Sequence, residues 1–320
     1  MKLASALRLV RYNLEFFTCG RYRPLAVSLS VTDRCQLRCD YCRIPERNLP
    51  DPMTEQLLDI MRILRKSGCL RLAFTGGEPL LRDDIRLLAR AATRFGFFTT
   101  LNTNGILLSG MPEIWPFFNL IFLSFEGMPS SQKSLRSAPS TDELIDLTAR
   151  LRAAGNRVIT TTILCQENYQ DAGYIIDLAE RHGFLADFEL FSAHSLSGEV
   201  WQPSTKELFE TVKFLLRQKN KGRPVANSTT NLNLLLYLLK SGRFPDRLKC
   251  FAGKLFCFID TDGRYYPCFD LRAVNTGSAD FAHTTQVQSY CDFCRCNGAL
   301  ELNAVYSLYP GAIRNNLAWW

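Results

Sequence analysis

Three cysteines within eight residues are the first chemically informative pattern in the chain. Cys35, Cys39 and Cys42 form a C-x3-C-x2-C pattern. Three thiolates so close in sequence can bind one [4Fe-4S] cubane and leave its fourth iron without a protein ligand. A structural zinc site needs four ligands in a closed tetrahedron, and no further Cys or His lies close enough in sequence to complete one. The pattern therefore predicts an iron-sulfur cluster with one open iron.

A second motif, Gly76-Gly77-Glu78-Pro79, follows about 34 residues after the cysteine pattern. Glycines allow a backbone to approach a ligand closely, and a neighbouring carboxylate can accept hydrogen bonds from an ammonium group. Proline suits the first turn of a helix. The motif therefore predicts a ligand-binding turn that leads into a helix.

Together the two motifs resemble those of the radical S-adenosylmethionine (radical SAM) superfamily, whose cysteine loop carries an aromatic residue before its last cysteine, here Tyr41. By motif order and strand rhythm the resemblance spans roughly residues 25–191. It implies that the open iron chelates the amino and carboxylate groups of SAM. One electron would then cleave the sulfonium to a 5′-deoxyadenosyl radical that abstracts a substrate hydrogen. Tyr41, Gly76, Gly77 and Glu78 are the first residues expected to contact the cofactor.

Polar residues at the ends of later strands are further candidates for cofactor contacts. Asn102 and Asn104 end the third predicted strand and Ser124 the fourth, where the superfamily places polar groups against the cofactor. Ordinary capping of strand ends is the alternative. The segment that begins at Ser124 is similar to the superfamily's Ser-Leu-Asp-Gly with Glu126 for Asp, which leaves the role of Glu126 open. Thr160 to Thr162 alternate faces of the fifth strand, so that one or two could reach the cofactor.

A second group of cysteines lies near the end of the sequence. A Gly-x4-Cys segment ends at Cys268, and a C-x2-C pair follows it. This group resembles the auxiliary-cluster modules of the superfamily, called SPASM with two clusters and twitch with one. The full SPASM pattern has a cysteine where Leu300 stands, and no cysteine follows Cys296. The resemblance therefore implies one auxiliary [4Fe-4S] cluster with the ligands Cys250, Cys268, Cys291 and Cys294.

Other assignments of these cysteines stay open. Cys257 and Cys296 could each replace one of the four ligands, although Cys257 also suits a small buried side chain in a strand. Zinc is the rival metal, because C-x2-C pairs suit zinc equally well. Cys19, Cys69 and Cys165 have no partner spacing and are expected to be structural.

The elements that must position these motifs alternate between strand and helix. Strands are predicted at residues 25–31, 71–75, 97–102, 120–125, 157–164 and 187–191, and helices at 54–67, 82–95, 141–154 and 172–182. Six repeats predict an α/β fold, a partial (β/α)6 TIM-like barrel of parallel strands with a small C-terminal cysteine-rich hairpin module. Such sheets place their chemistry at the carboxyl ends of the strands, where the motifs lie.

Four regions are expected along the chain: an N-terminal amphipathic helix (1–20), a radical SAM core (21–195), a helical connector (196–249) and the auxiliary-cluster module (250–320). The apolar positions of the first helix are Leu3, Leu7, Val10, Leu14 and Phe17. That stripe is expected either to pack on the domain or to contact a membrane surface. The module contains strand-like residues 256–262 and 265–266 around an Asp262-Gly263 turn.

Bulk composition excludes several classes of protein. The chain has 320 residues, a net charge of +7 and no block of five or six like charges, so no nucleic-acid partner is expected. The N-terminus lacks a signal-peptide core, which predicts a cytoplasmic protein whose twelve cysteines serve better as metal ligands than as disulfides. His182 suits a helix end, and His194 follows the sixth strand and could face the substrate.

The resemblance implies a radical SAM oxidoreductase or maturase that draws electrons from a flavodoxin or ferredoxin-type donor. The substrate could be a peptide or a small molecule, and no separate leader-peptide domain is evident ahead of Leu25. A lipid-linked substrate is an alternative, suggested by the first helix and Trp319-Trp320. A non-catalytic iron-sulfur redox or metal-storage protein is another, and the Gly-Gly-Glu motif disfavours it because an electron carrier needs no aminoacyl-binding site.

Overall fold

A computed structural model gives the fold, and it describes residues 3–19, 23–136, 138–191, 202–269, 294, 296–309 and 311–312. The helices are α1 Leu3–Cys19, α2 Thr54–Ser67, α3 Ile85–Phe95, α4 Pro129–Arg136, α5 Thr141–Ala153, α6 Ala172–His182, α7 Thr205–Asn220, α8 Thr229–Ser241 and α9 Asn297–Tyr306. The strands are β1 Ala26–Ser30, β2 Arg71–Thr75, β3 Phe98–Thr103, β4 Leu120–Ser124, β5 Arg157–Leu164, β6 Leu185–Leu190, β7 Phe256–Ile259 and β8 Tyr265–Tyr266. Short 3-10 turns occupy Ile44–Glu46, Pro79–Leu81, Leu108–Gly110, Pro112–Phe117 and Tyr169–Asp171.

The strands form one sheet in the order β6-β5-β4-β3-β2-β1-β7-β8. The strands β1 to β6 are parallel and follow chain order. An α-helix comes after each of them along the chain except β3, which is joined to β4 by two 3-10 turns. This confirms the predicted α/β fold with a parallel sheet. Behind the sheet, α2 and α3 bury their apolar stripes, with side chains such as Met61 and Leu88 fully enclosed in the main core.

The cysteine-rich hairpin extends the barrel sheet and does not form a separate layer. Strand β7 lies parallel to β1, with Val27 opposite Cys257, and β8 pairs antiparallel to β7. A partly buried ion pair adds to this junction, because the Arg47 guanidinium donates to both carboxylate oxygens of Asp260 at 3.0 and 2.8 Å. The segment after β1 and the hairpin are therefore held together by strand pairing and by charge.

Helix α1 packs mainly through Tyr12 and Phe16, which do not belong to its predicted apolar stripe. Tyr12 and Phe16 are buried in a cluster with residues of the C-terminal region, and the ring centroid of Phe16 lies 4.6 Å from that of Tyr306. Val10, Leu14 and Phe17 are 57%, 60% and 51% exposed. Aromatic packing decides the orientation here, and membrane-surface contact by the exposed stripe stays a prediction. Within the described residues, no helix is long and apolar enough to cross a bilayer.

The packing of α1 predicts unequal effects for two substitutions on the same helix. Phe16→Ala should lower the free energy of unfolding by about 3 kcal/mol, because it removes a buried ring from an aromatic cluster. Leu14→Ala, the matched control at an exposed position, should change it by no more than about 0.5 kcal/mol. Urea denaturation followed by circular dichroism measures both, and equal losses would contradict this orientation of α1.

Candidate functional site

The cysteine loop follows β1 at the carboxyl end of the parallel sheet. Cys35, Cys39 and Cys42 are half-buried. The backbone N–H of Leu37 donates to Cys35 Sγ at 3.4 Å, and the Asn104 side-chain amide lies 3.9 Å from the same sulfur. Such donors stabilise a thiolate. Burial raises the pKa of the Cys39 thiol to about 11. The thiol would therefore lose its proton when it binds iron.

The two glycines of the second motif lie directly against the backbone of the cysteine loop. A Cβ on Gly76 would lie 2.2 Å from the carbonyl oxygen of Thr32, and one on Gly77 would lie 2.3 Å from that of Arg34. Gly77 N–H donates to Thr32 O, and Glu78 N–H donates to Arg34 O, both at 2.8 Å. Only residues without a side chain fit here, so the motif positions the loop that carries the cysteines.

Glu78 joins this unit to the end of β3. Its carboxylate is fully buried and accepts hydrogen bonds from Thr103 Oγ1 at 2.9 and 3.0 Å, from Asn104 N–H at 2.9 Å and from Leu80 N–H at 3.2 Å. Burial raises the pKa of Glu78 to about 7 against the opposing effect of these donors. The side chain of Asn104 accepts from Gln36 at 3.3 Å. Glu78 and Asn104 thus connect β2, β3 and the cysteine loop.

Tyr41 anchors the other side of the loop. Its ring is buried, and its hydroxyl lies 2.6 Å from Glu126 Oε1, to which it donates, and 2.6 Å from Arg136 Nη2. Arg136 Nε donates to the same carboxylate oxygen at 2.6 Å. Glu126, whose role the sequence left open, is therefore the buried anion of this triad, and Arg136 was missed because nothing in its local sequence marks it.

A cavity of about 350 Å³ runs inside the barrel. Alternate residues of the strands line it, since side chains i and i+2 share a face. The lining pairs are Arg71 and Ala73 of β2, Thr100 and Asn102 of β3, Phe122 and Ser124 of β4, Asp187 and Glu189 of β6, and Phe256 and Phe258 of β7. Of the predicted cofactor contacts, Asn102 and Ser124 face this cavity.

The cavity also contains polar groups that the sequence did not single out. Ser124, Thr161 and Asp187 are register partners on three adjacent strands and all line the cavity. Burial and then Glu189 raise the pKa of Asp187 well above its usual range. Thr100 Oγ1 is buried and finds no hydrogen-bond partner among the described residues. The sequence does contain a signal that could have revealed Asp187. Asp187 and Glu189 are charged residues at alternate positions of the otherwise apolar strand β6.

The predicted auxiliary-cluster ligands that the structure describes line the same cavity. Cys250, Cys268, Cys294 and Cys296 all line it, as does the buried Cys257. Cys291 lies outside the described residues, as does His194. Across the described ranges, no three His, Cys, Asp or Glu side chains are grouped tightly enough to hold a single metal ion. The choice between Cys294 and Cys296 as a ligand, and between iron and zinc, stays a prediction.

Most of the residues that were expected to have only a structural role lie in the core or at helix ends. Cys69 is buried in the main core, and Cys19 is exposed at the end of α1. Cys165 is buried beside Tyr41 in a small cluster that includes Cys39 and Cys42, which is closer to the cysteine loop than its sequence suggested. His182 ends α6, where its carbonyl accepts from Arg152 at 2.7 Å.

Part of the chain is similar to a known superfamily. Residues 29–179 match the Radical SAM superfamily. The PqqA peptide cyclase of Rhodopseudomonas palustris is 42% identical over 89 residues, which are 27% of this chain and 24% of that protein. The matched region thus spans about a quarter of the length of this curated relative.

Solved structures share the fold over most of the chain. Streptococcus suis SuiB bound to S-adenosylmethionine superposes with a TM-score of 0.67 at 17% identity over 95% of this chain and 71% of that chain. SuiB bound to the precursor peptide SuiA gives a TM-score of 0.68 at 18% identity over 95% and 70%. The anSMEcpe protein with bound AdoMet and the Cp18Cys peptide gives 0.58 at 17% identity over 77% and 74%.

The close approach of Gly77 to the cysteine loop can be tested with one added methyl group. Gly77→Ala should lower the free energy of unfolding by at least about 2 kcal/mol, because the new Cβ overlaps Arg34 O and Asp33 O. It should also lower the iron bound per chain after anaerobic reconstitution. Gly110→Ala, where an added Cβ meets nothing within 4 Å, is the control and should change stability by no more than about 0.5 kcal/mol. Wild-type stability and iron content in Gly77→Ala would refute this arrangement.

Proposed function

We propose that this chain is a radical SAM enzyme, since residues 29–179 match the Radical SAM superfamily. It would cleave SAM reductively and use the resulting radical to oxidise a substrate in the barrel cavity. The hard chemistry belongs to the cofactors, and the protein orients the reactants and excludes water. Cys35, Cys39 and Cys42 would hold the first [4Fe-4S] cluster, whose open iron binds SAM.

The observation that carries this proposal is the shared cavity. Asn102 and Ser124, at the carboxyl ends of β3 and β4, line the same space as Cys250 and Cys268. A substrate there would lie beside strand-end residues proposed to contact the cofactor and beside the C-terminal cysteines. That placement suits an oxidation in which the radical removes a hydrogen atom and an auxiliary [4Fe-4S] cluster accepts one further electron.

The residues of the site would divide into two roles. Asn102 and Ser124, which face the cavity, would contact the cofactor. Gly76, Gly77 and Glu78 have their hydrogen-bonding and packing capacity committed to the cysteine loop and β3, so their larger contribution would be to place the open iron. Asn104, beside Cys35 Sγ, and the buried Tyr41 would hold the loop on its two flanks.

We propose a peptide as the substrate class. The names of the similar proteins support it, since they include a PqqA peptide cyclase, SuiB with a precursor peptide and anSMEcpe with a bound peptide. The cavity volume of about 350 Å³ matches one or two side chains rather than a folded partner. A flavodoxin or ferredoxin-type protein would supply the electron.

Loss of any first-cluster cysteine should abolish SAM cleavage. Cys35→Ala, Cys39→Ala and Cys42→Ala each remove one of three thiolates, so the cubane would be lost or misplaced. The measurement is 5′-deoxyadenosine formed after anaerobic incubation with dithionite and SAM. Cys19→Ala, at an exposed position at the end of α1, is the control and should keep wild-type yield. Near-normal product from any of the three variants would refute the assignment, and none from the wild type would favour a simple redox or storage protein.

Replacement of the auxiliary-cluster ligands should separate SAM cleavage at the first cluster from electron transfer to the auxiliary cluster. With Cys250, Cys268, Cys291 and Cys294 all changed to Ala, SAM cleavage should persist, because the first cluster is intact. Iron should fall from about eight to about four atoms per chain, the content of two cubanes and of one. Elemental analysis measures iron and zinc per chain. Unchanged iron with loss of zinc would identify a structural zinc site and remove the auxiliary electron acceptor.

A further inference from the structure

The cysteine loop is joined to the C-terminal hairpin on both sides of its three cysteines. Asp33 stands before the first cysteine of the loop, and Arg47 stands after the last one. Their partners on the hairpin are Thr261 and Asp260, respectively. These two hairpin residues directly follow strand β7, which pairs with β1, so that the ends of the two strands lie side by side. We call these four side chains the clasp.

Hydrogen bonds form the first half of the clasp. Thr261 Oγ1 donates to Asp33 Oδ1 at 2.6 Å, and the hydroxyls of Ser30 and Thr261 lie 2.8 Å apart. A hydroxyl has one proton to donate, so Ser30 is the donor to Thr261. All three side chains are buried. The end of β1, the hairpin and the start of the loop are therefore connected by one chain of hydrogen bonds.

A shared cation forms the second half. The Arg47 guanidinium donates to both oxygens of Asp260 at 3.0 and 2.8 Å, and its Nε lies 3.4 Å from Asp33 Oδ2. The side chains of Asp33 and Asp260 are 1% and 3% exposed, whereas that of Arg47 is 21% exposed. If Arg47 moved away, two buried carboxylates would lose this cation, which is costly. The two ends of the loop are therefore expected to stay on the hairpin together.

The backbone around Asp33 is held from the other neighbouring strand as well. Strand β1 lies between β2 and β7 in the sheet. On the β2 side, the carbonyls of Thr32 and Arg34 accept from the N–H groups of Gly77 and Glu78, both at 2.8 Å. On the β7 side, the intervening Asp33 accepts from the hairpin. One short stretch of the loop is thus fixed by two different strands.

We propose that Asp260 and Thr261 are positioning residues for the cluster that the cysteine loop would bind. They act through Arg47 and Asp33, and no contact with cluster or substrate is assigned to them. The inference rests on the proposed function, because it assumes a [4Fe-4S] cluster on the loop. The hairpin that leads to the C-terminal cysteines would then also keep the first cluster in place, since opening of the loop would expose and release it.

Hydrogen exchange in the full chain, before any iron is added, tests the clasp itself. The backbone amides of Gly77 and Glu78 report on the loop, because both donate to it. Thr261→Val removes the hydroxyl but keeps the branched shape of the side chain. Loss of this hydrogen bond to a buried carboxylate should speed exchange of the two amides about tenfold. Amides of α3, which packs in the main core, should keep their wild-type rates.

Three further variants separate the clasp from general damage. Thr261→Ser keeps the hydroxyl and should restore slow exchange at the two reporter amides. Thr148→Val, the matched control, removes a buried hydroxyl that donates to Leu144 O at 2.8 Å within α5, and should leave those amides unchanged. Asp260→Asn removes the charge that pairs with Arg47 and should act in the same direction as Thr261→Val. The two clasp variants are independent, so either one decides the test if the other fails to fold.

The reconstituted chain tests the link to the cluster. In excess iron chelator, a cluster is lost when its loop opens, and the electron paramagnetic resonance signal that changes on SAM addition reports the first cluster alone. This signal should decay about tenfold faster in Thr261→Val than in the wild type, because the same opening limits both processes. Thr261→Ser should decay at the wild-type rate. Wild-type decay in Thr261→Val, despite faster amide exchange, would overturn the positioning role.

The other outcomes distinguish this inference from the proposed function. Exchange that speeds up equally in α3 would indicate general destabilisation and would overturn the inference, as would Thr261→Ser that behaves like Thr261→Val. A normal SAM-responsive signal in the wild type, with unchanged exchange at Gly77 and Glu78 in both clasp variants, would overturn this inference alone. A wild-type chain without a SAM-responsive signal would remove the proposed function and, with it, the assigned positioning role.

Discussion

The candidate site depends on one contact between two stretches of backbone, Thr32 to Arg34 and Gly76 to Gly77. Neither glycine has room for a Cβ, and both strand-end loops donate or accept across the contact. Glu78 then ties the pair to β3 through Thr103 and Asn104, so three successive strand ends form one rigid unit. Since iron-sulfur and SAM binding both need fixed geometry, the chemistry of the open iron would follow from how tightly these loops pack.

The second organising feature is the inward face of the sheet. Its alternate residues create an interior that is apolar near Phe256 and Phe258 and polar near Asn102, Ser124 and Asp187. The C-terminal cysteines reach that interior because β7 joins the sheet beside β1. A half-buried cation, Arg71, lies in the same space, and desolvation lowers its pKa to about 10. The cavity therefore offers both signs of charge to a substrate, which favours a polar, oriented ligand over a hydrocarbon.

Local sequence patterns were sufficient to predict much of the fold and part of the site. The predicted bounds of α2, β2, β5 and α6 agree with the structure, because apolar periodicity and flanking turns decide such elements locally. The cysteine loop and the Gly-Gly-Glu motif were recognised by spacing. Arg136, Asp187 and the packing face of α1 were not, since each depends on neighbours far away in sequence: Tyr41 for Arg136, Asn297 for Asp187 and Tyr306 for Phe16. Helices α4 and α9 were not predicted. Helix α4 has few apolar residues, and α9 follows a turn-rich segment.

The parallel pairing of β7 with β1 has a consequence for how this polypeptide can be divided. Strand β1 carries the cysteine loop, and its outer N–H and C=O groups are satisfied by a strand about 230 residues later in the chain. A fragment that ended before Phe256 would present β1 as an unprotected sheet edge, the surface through which chains self-associate and aggregate. The barrel and its C-terminal hairpin are therefore expected to fold as one unit, and exchange of the hairpin between relatives would have to preserve the register of Val27 with Cys257.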